Sequence, residues 1–284
     1  MANSRRNKQG KDKDKEDDRP VIWVGYGKLL KLFRERANVT QQALAVAIGY
    51  SLEQTASVEQ GRRPAKSAFT EAAERFLDAG GALAVLQDDV DRAKLPAFFQ
   101  DFALIETEAV SRFAYDPLLV PGLLQTEEYI RALFAGHCPP LHEEIVEQHT
   151  EARLSRQKIL TRTPLVEVSF VIEDAALTNP VGEPELMRRQ MRHLLKVGAT
   201  RNVEIQVMPS GRGFHPGLNG GFVLVESVEH RHVGYFESQG VGHVVGDADK
   251  VSGLGLRYGK LRSQALNAEE PARRIARLAG EADA

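Results

Sequence analysis

The stretch "TQQALAVAIGYSLEQTASVEQGRRP", Thr40–Pro64, reads as two short helices joined by a single glycine. Thr40 carries a side-chain oxygen suited to capping the first helix, which leaves Gln41 and Gln42 in its first turn. Unbonded backbone N–H groups and the positive end of the helix dipole favour an anion there. Ala45 is small in mid-helix and Gly49 follows four residues later, so a sharp turn and a close crossing by the next helix are both allowed. Ser51 is placed to cap that next helix. Its spacing puts Leu52, Glu53, Gln54 and Ser57 on an exposed face and turns Thr55 and Val58 inward. In a helix-turn-helix the N-terminal part of the second helix enters the major groove. A helical hairpin used only for dimerisation would show the same spacing of alanine and glycine.

Outward from this stretch, residues 21–87 keep a helical period. Leu29, Leu30, Leu32 and Phe33 support a helix before the quoted pair, and Phe69, Ala72, Ala73, Phe76 and Leu77 one after it, ended before Gly80 and Gly81. A short helix over residues 82–87 completes an all-α domain of about five helices. Residues 1–20, rich in Lys and Asp and poor in large apolar side chains, are expected to be a disordered charged tail, either solubilising or an arm reaching a DNA groove. The acidic residues 88–96 read as a linker or an exposed helix, with Pro96 as the boundary.

The spacing over residues 28–64 resembles the DNA-binding unit of the xenobiotic-response-element (XRE) and phage-repressor family, through its Thr-Gln, Leu-Ala, Gly and Glu-x-Gly motif. The resemblance implies that Gln41 touches phosphate, that Leu52, Glu53 and Ser57 face bases, and that Arg62 and Arg63 grip the backbone beyond the helix. It also implies a partly buried ion pair between Arg34 and Glu59. Gln42, Ser51 and Gln54 complete the expected DNA-binding surface. Thr55 stands where the family usually has a large aliphatic residue, which predicts a less firmly packed third helix.

The charge balance fits a polyanion only at this end. Residues 1–87 hold 15 Lys/Arg against 11 Asp/Glu and the rest 22 against 28, so +4 and −6 make up the formal total of −2. Cys138 is the only cysteine, which excludes an intramolecular disulfide and a cysteine-built zinc site. No apolar run approaches the roughly 20 residues of a membrane span, and no secretory segment is evident at the N-terminus. A cytoplasmic, nucleoid-associated protein is expected.

Residues 97–284 read as a larger α+β domain with a mixed sheet of about four to five strands. Helices are expected over residues 98–114, 127–135 and 143–160, then a half-buried strand carrying Val166, Val168, Phe170 and Ile172. A helix from Pro184 and a strand with Val203, Ile205 and Val207 follow, in an order that predicts a crossover between parallel strands. Residues 222–226 and 232–237 predict a hairpin, and 243–245 a shorter strand. Asn267 and Glu270 form a candidate capping box before Ile275 and Leu278.

This region resembles the C-terminal domain of antitoxin-like regulators of actinobacteria, through "VPGLLQTEEY" (Val120–Tyr129), "RLSRQ" (Arg153–Gln157), "EDAALTNPVG" (Glu173–Gly182), "QVMP" (Gln206–Pro209) and "FVLVE" (Phe222–Glu226). The resemblance implies a regulator whose body binds a small partner protein. A different class of function is a pure interaction protein that mainly sequesters that partner, with DNA binding secondary. A third is a ligand-controlled repressor, which predicts a pocket between the sheet and its covering helices.

Physical chemistry adds two observations. Arg153 and Arg156 lie three apart on one helix face, close enough for joint capture of a carboxylate such as Glu173 or Asp174, or for ordinary ion pairs. The five-glycine loop "SGRGFHPGLNGG" (Ser210–Gly221) is followed by a strand, the wrong order for a phosphate cradle, and reads as a flexible loop near a binding surface. His215, His230, His232 and His243 fit no metal-ligand spacing, no nucleophile elbow or metalloprotease motif occurs, and Glu106, Glu173 and Glu237 are isolated carboxylates. No catalytic residue, metal or cofactor is therefore expected. The expected partners are double-stranded operator DNA, a small protein or ligand, and a second copy of the chain in a homodimer.

Overall fold

The computed structural model describes residues 19–267 and 269–281. Of the expected tail, residues 1–18 lie outside them. The chain divides into two compact units, Met1–Lys94 and Leu95–Ala284. Among the described residues no helix is long and apolar enough to cross a membrane.

The first unit is all helical: α1 (Val21–Arg36), α2 (Gln41–Ile48), α3 (Leu52–Glu59), α4 (Ser67–Leu77) and, after a 3-10 turn at Ala84–Leu86, α5 (Gln87–Arg92). Trp23, Tyr26, Leu30, Leu44, Phe69 and Leu83 are buried in its core. Each such side chain contributes about 1.5–3 kcal/mol by leaving water. Part of the stretch read as linker belongs to this core. Val90 is buried there and its carbonyl accepts from Trp23 Nε1 at 3.0 Å, so α5 packs on α1 instead of standing free. A polar chain crosses the same core. The Tyr26 hydroxyl meets Thr70 Oγ1 at 2.7 Å, Thr70 donates to Gln87 Oε1 at 2.5 Å, and Gln87 donates to the Ala65 carbonyl at 3.1 Å. Burial pushes the Tyr26 hydroxyl up to about 12. Helix α4 stops because Asp78 adopts a left-handed conformation and the Glu74 carboxylate accepts from the N–H groups of Gly81, Leu83 and Ala84 beyond it.

The second unit is α+β. In chain order it contains α6 (Ala97–Thr107), β1 (Ala109–Asp116), α7 (Glu127–Ala135), α8 (Glu143–Arg156), β2 (Glu167–Glu173), α9 (Asp174–Thr178) and α10 (Pro184–Gly198). There follow β3 (Val203–Met208), β4 (Phe222–Ser227), β5 (His232–Ser238), β6 (Val241–Val245), α11 (Ala248–Gln264) and α12 (Glu270–Ala279). Six strands form one mixed sheet in the order β3-β2-β1-β4-β5-β6, parallel from β3 to β1 and antiparallel from there to β6. That is one strand more than expected. The extra one is β1, which lies where the sequence predicts the end of a helix.

Strand β2 departs from the half-buried pattern expected of it, because both of its faces are covered. Phe170 and Ile172 join a core with Phe102, Leu194 and Ile275, whereas Val171 joins another with Leu254, Tyr258 and Leu261 of α11. Its polar Ser169 is matched in the second core by the Tyr258 hydroxyl, 3.0 Å away. The expected parallel crossover runs from β2 through α10 to β3. Of the expected box before α12 only half forms: the Glu270 carboxylate accepts from the Asn267 N–H at 2.8 Å.

Candidate nucleic-acid interface and a charged cleft

Helix α2 is capped by Thr40, whose Oγ1 accepts from the Ala43 N–H at 3.1 Å. That satisfies one of the free donors of the first turn and leaves the N–H groups of Gln41 and Gln42 pointing out of the helix end. Gln42 is exposed and Gln41 half-buried. Gly49 turns the chain at φ +77°, a conformation that favours glycine, and the Tyr50 N–H closes the turn on the Ala45 carbonyl at 2.9 Å.

Helix α3 begins with a complete capping box. Ser51 Oγ accepts from the Gln54 N–H at 3.1 Å, and Gln54 Oε1 accepts from the Ser51 N–H at 3.3 Å. Ser51 and the oxygen of Gln54 are thus engaged within the protein, and the Gln54 amide nitrogen remains available outward. Glu53 is exposed and Leu52 is 43% exposed. Thr55 is fully buried, with its hydroxyl donated to the Ser51 carbonyl at 3.0 Å, so the polar side chain at this inward position is matched.

Ser57 requires a correction. Expected on the exposed face, it is 6% exposed, because the chain folds back over the end of α3 and the N–H groups of Arg62 and Arg63 both bond the Ser57 carbonyl, at 2.9 and 3.3 Å. Arg62 and Arg63 are themselves exposed, just beyond the helix. The outward surface is therefore the first turn of α3, the N-terminus of α2 and these two arginines.

Two features fix the angle between α1 and α3. The Arg34 guanidinium grips Glu59 in a fork, Nε to Oε2 at 2.8 Å and Nη2 to Oε1 at 2.7 Å, and its Nη1 also donates to the Val39 carbonyl at 2.9 Å. Hydrogen bonding to Glu59 holds Arg34 above its ordinary range. The second feature escaped the sequence reading. A Cβ at Gly27 would strike the carbonyl oxygens of Glu59 and Val58, and one at Gly61 would come within 2.7 Å of Val24 Cα. The two glycines let α3 and the chain after it lie directly on α1. Glycine recurs at 25 and 27 inside the helical pattern, and Gly27 is a trace of this crossing in the sequence.

In the second unit, a cleft of about 330 Å³ opens between α6, α8 and the sheet. Five chain segments build it. Helix α6 supplies Phe99 and Phe102, β1 supplies Arg112 and Asp116, α8 supplies Arg153 and Arg156, and β4 and β5 supply Val223, Tyr235 and Glu237, with residues 117–125 forming the rim. Tyr235 stacks on Phe102 with ring centroids 4.2 Å apart and meets Phe99 edge-on at 5.5 Å.

The charges of the cleft fall into three groups. The buried Glu106 holds both Arg112, Nε to Oε1 at 2.8 Å, and Arg156, Nη2 to Oε2 at 2.9 Å. Burial opposes ionisation of Glu106, yet Arg156 and Arg112 outweigh it and keep the carboxyl below its usual range. Arg153 has no carboxylate partner among the described residues. Its Nη1 donates to Gln125 Oε1 at 2.8 Å, and its guanidinium lies 4.9 Å from the Phe134 ring centre. Burial, reinforced by Arg156, lowers it to about 10. The Asp116 carboxylate makes no hydrogen bond among the described residues, and its Oδ2 is buried without a partner, as is Arg112 Nη1. Burial pushes its carboxyl up to about 7; Glu237 adds to this and Arg112 opposes it.

Arg153 and Arg156 therefore do not act jointly on residues 173 and 174. Asp174 is held in a fork by Arg274 at 2.7 and 2.9 Å, and Glu173 accepts from the Tyr115 hydroxyl at 2.6 Å with His215 Nε2 3.5 Å away. The glycine-rich loop is anchored there. His215 is buried, and Gly217 lies so close to the Tyr115 ring that a Cβ would overlap it. His230 and His232 both approach Glu226, at 2.7 and 3.8 Å, and His243 is exposed on β6. Among the described residues no group of three or more His, Cys, Asp or Glu is placed to hold a metal ion.

A capped α2, a glycine turn and an α3 with its first turn open to solvent define the first unit as a helix-turn-helix DNA-binding domain. In agreement, a family model described as a helix-turn-helix domain matches residues 26–86. A second model, described as a domain of unknown function (DUF5753), matches residues 99–277, more than half of the chain, and the chain belongs to that family. No curated protein and no solved structure matches the chain.

Proposed function

We propose that the chain is a sequence-specific transcriptional regulator. It binds operator DNA as a homodimer through Gln41, Gln42, Leu52, Glu53, Gln54, Arg62 and Arg63, and its second unit senses a small ligand. The observation that carries the DNA-binding half is the open first turn of α3, held at a fixed angle to α1 by the Arg34–Glu59 fork and Gly27. A single short helix offers few contacts, and two copies on half-sites about 34 Å apart double them. What supports the sensing half is the cleft, which has the usual size and mixed polarity of a small-molecule site and leaves buried polar atoms unmatched. This reading assigns no catalytic step to the chain and places it on the nucleoid in the cytoplasm.

A second reading keeps the antitoxin-like role, in which the second unit sequesters a small partner protein. Its support is the exposed apolar residues Leu118, Phe214 and Leu218, which are 74%, 85% and 65% exposed. Gel shifts on the DNA upstream of the chain's own gene, at rising salt, test the first reading. Co-purification of a tight protein complex with no operator affinity would favour the second.

A further inference from the structure

Among the described residues, the charged cleft of the second unit has an arginine with no carboxylate bonded to it and two carboxylates with no cationic hydrogen-bond donor. Of its three arginines, Arg112 and Arg156 share Glu106, whereas Arg153 has only the neutral Gln125 and the Phe134 ring. A guanidinium so placed, partly withdrawn from water, is suited to take a carboxylate in a fork. On the sheet side, among the described residues, the Asp116 carboxylate has no hydrogen bond, with Oδ2 buried and unpartnered, and the Glu237 carboxylate accepts only from the Tyr235 hydroxyl, at 3.2 Å. Asp116, whose carboxyl is pushed up by burial and further by Glu237, forms with that second carboxylate a site for a cation that donates hydrogen bonds. Arg153, Asp116 and Glu237 line the same cleft of about 330 Å³, so both ends fall within reach of one small molecule. The rings of Phe99, Phe102 and Tyr235 line the same cleft.

Space is available as well as charge. Gly221, at the start of β4, and Gly122, on the rim, contribute no side chain to the cleft, and about 330 Å³ suits a molecule of amino-acid to small-drug size. An acid without an amine would leave Asp116 and Glu237 facing each other, and an amine without an acid would leave Arg153 unmatched. Each arrangement keeps a desolvated charge uncompensated, the costly outcome in a site partly closed to water.

We propose that this cleft binds a small zwitterion, an apolar or aromatic molecule whose acidic group is taken by Arg153 and whose ammonium group lies against Asp116 and Glu237. The inference rests on reading the second unit as the ligand-sensing part of the regulator. It names the chemical class of ligand and is independent of the operator sequence.

Saturation-transfer NMR and calorimetry on the full chain at pH 7.5 test it with four probes. L-phenylalanine and 4-(aminomethyl)benzoate carry both charges, phenylacetate carries only the acid, and phenethylamine only the amine. At least one zwitterion is expected to bind ten-fold or more tightly than either singly charged probe. Asp116→Asn, which preserves shape, should remove that advantage while leaving phenylacetate binding unchanged. Arg153→Gln should weaken phenylacetate and the zwitterions alike. Absence of binding by both zwitterions, equal binding of phenylacetate, or indifference to Asp116→Asn would overturn the proposal. Operator binding measured on the same preparation separates the two readings: its persistence when the probes fail overturns the ligand class alone, and its absence in the unaltered chain overturns the regulator.

Discussion

Replacing Arg34 by Met should cost the first unit about 3–5 kcal/mol, the range for removing one partner of a buried ion pair. The structure places the pair in this regime and not among surface bridges: the Glu59 side chain is 3% exposed and that of Arg34 11%, with fork geometry at 2.7 and 2.8 Å. Arg34→Met leaves the Glu59 carboxylate without its partner and the Val39 carbonyl without a donor. Glu59→Leu leaves the guanidinium stranded in the same way. The double variant Arg34→Met/Glu59→Leu removes both charges and fills the space with apolar groups, and should lie within roughly 1–2 kcal/mol of the parent. The coupling between the sites is then at least about 4 kcal/mol. Trp23 is the only tryptophan and is buried in the first unit, so its fluorescence follows unfolding of that unit within the full chain. For a domain of this size a loss of about 4 kcal/mol lowers Tm by roughly 15–30 °C. Single variants that cost under about 1 kcal/mol, or a double variant costing the sum of the two, would refute the clamp.

Three further outcomes are expected. Gly27→Ala drives a methyl group into the carbonyls of Val58 and Glu59, so α3 must shift on α1; DNA affinity should fall at least ten-fold with helix content retained by circular dichroism. Asp116 titrates near 7 in the folded chain against 3.8 ordinarily, so the folded state holds the extra proton. The contribution of Asp116 to stability should be full below about pH 4 and be lost as pH rises through 7, a loss of at most about 4 kcal/mol and nearer roughly 1–2 because solvent reaches the cleft. Urea titrations should show that slope flattened in Asp116→Asn; coincident pH profiles of parent and variant would exclude it. Arg62→Ala should reduce the salt dependence of DNA binding by about one counterion, whereas Ser57→Ala, being buried, should leave the slope unchanged.

Much of the first unit is legible in the sequence because its signals are local. Thr40, Gly49 and Ser51 mark caps and a turn by their chemistry, and the apolar period of residues 69–77 marks α4. The burial of Ser57 is not legible, since it depends on the chain returning over the end of α3. Nor is Gly27, whose need for a bare backbone arises from a helix 31 residues later.

In the second unit the strand β1 is hidden for a related reason. Phe98, Phe102, Ile105, Ala109 and Phe113 continue a helical spacing, and only pairing with β2 and β4, whose partner residues lie 56 to 118 positions away, makes the segment a strand. The cleft draws on five separate segments; three of them include parts of the quoted stretches VPGLLQTEEY, RLSRQ and FVLVE, but nothing in those stretches says that they meet. Arg153 and Arg156 could be singled out as a pair on a helix face, but their opposite fates depend on Glu106, which the sequence offers as one carboxylate among many.

The central claim is that the first turn of α3, with the N-terminus of α2 and Arg62, reads a DNA sequence. Selection of duplexes from a randomised library by the full chain tests it most directly, run beside the variant carrying Gln41→Ala, Leu52→Ala and Arg62→Ala, none of which is buried. The parent should enrich a two-fold symmetric motif with half-sites about one helical turn apart, bound roughly 10³-fold or more tightly than scrambled DNA, and the variant should enrich nothing. No enrichment by the parent, or the same motif selected by the variant, would contradict it.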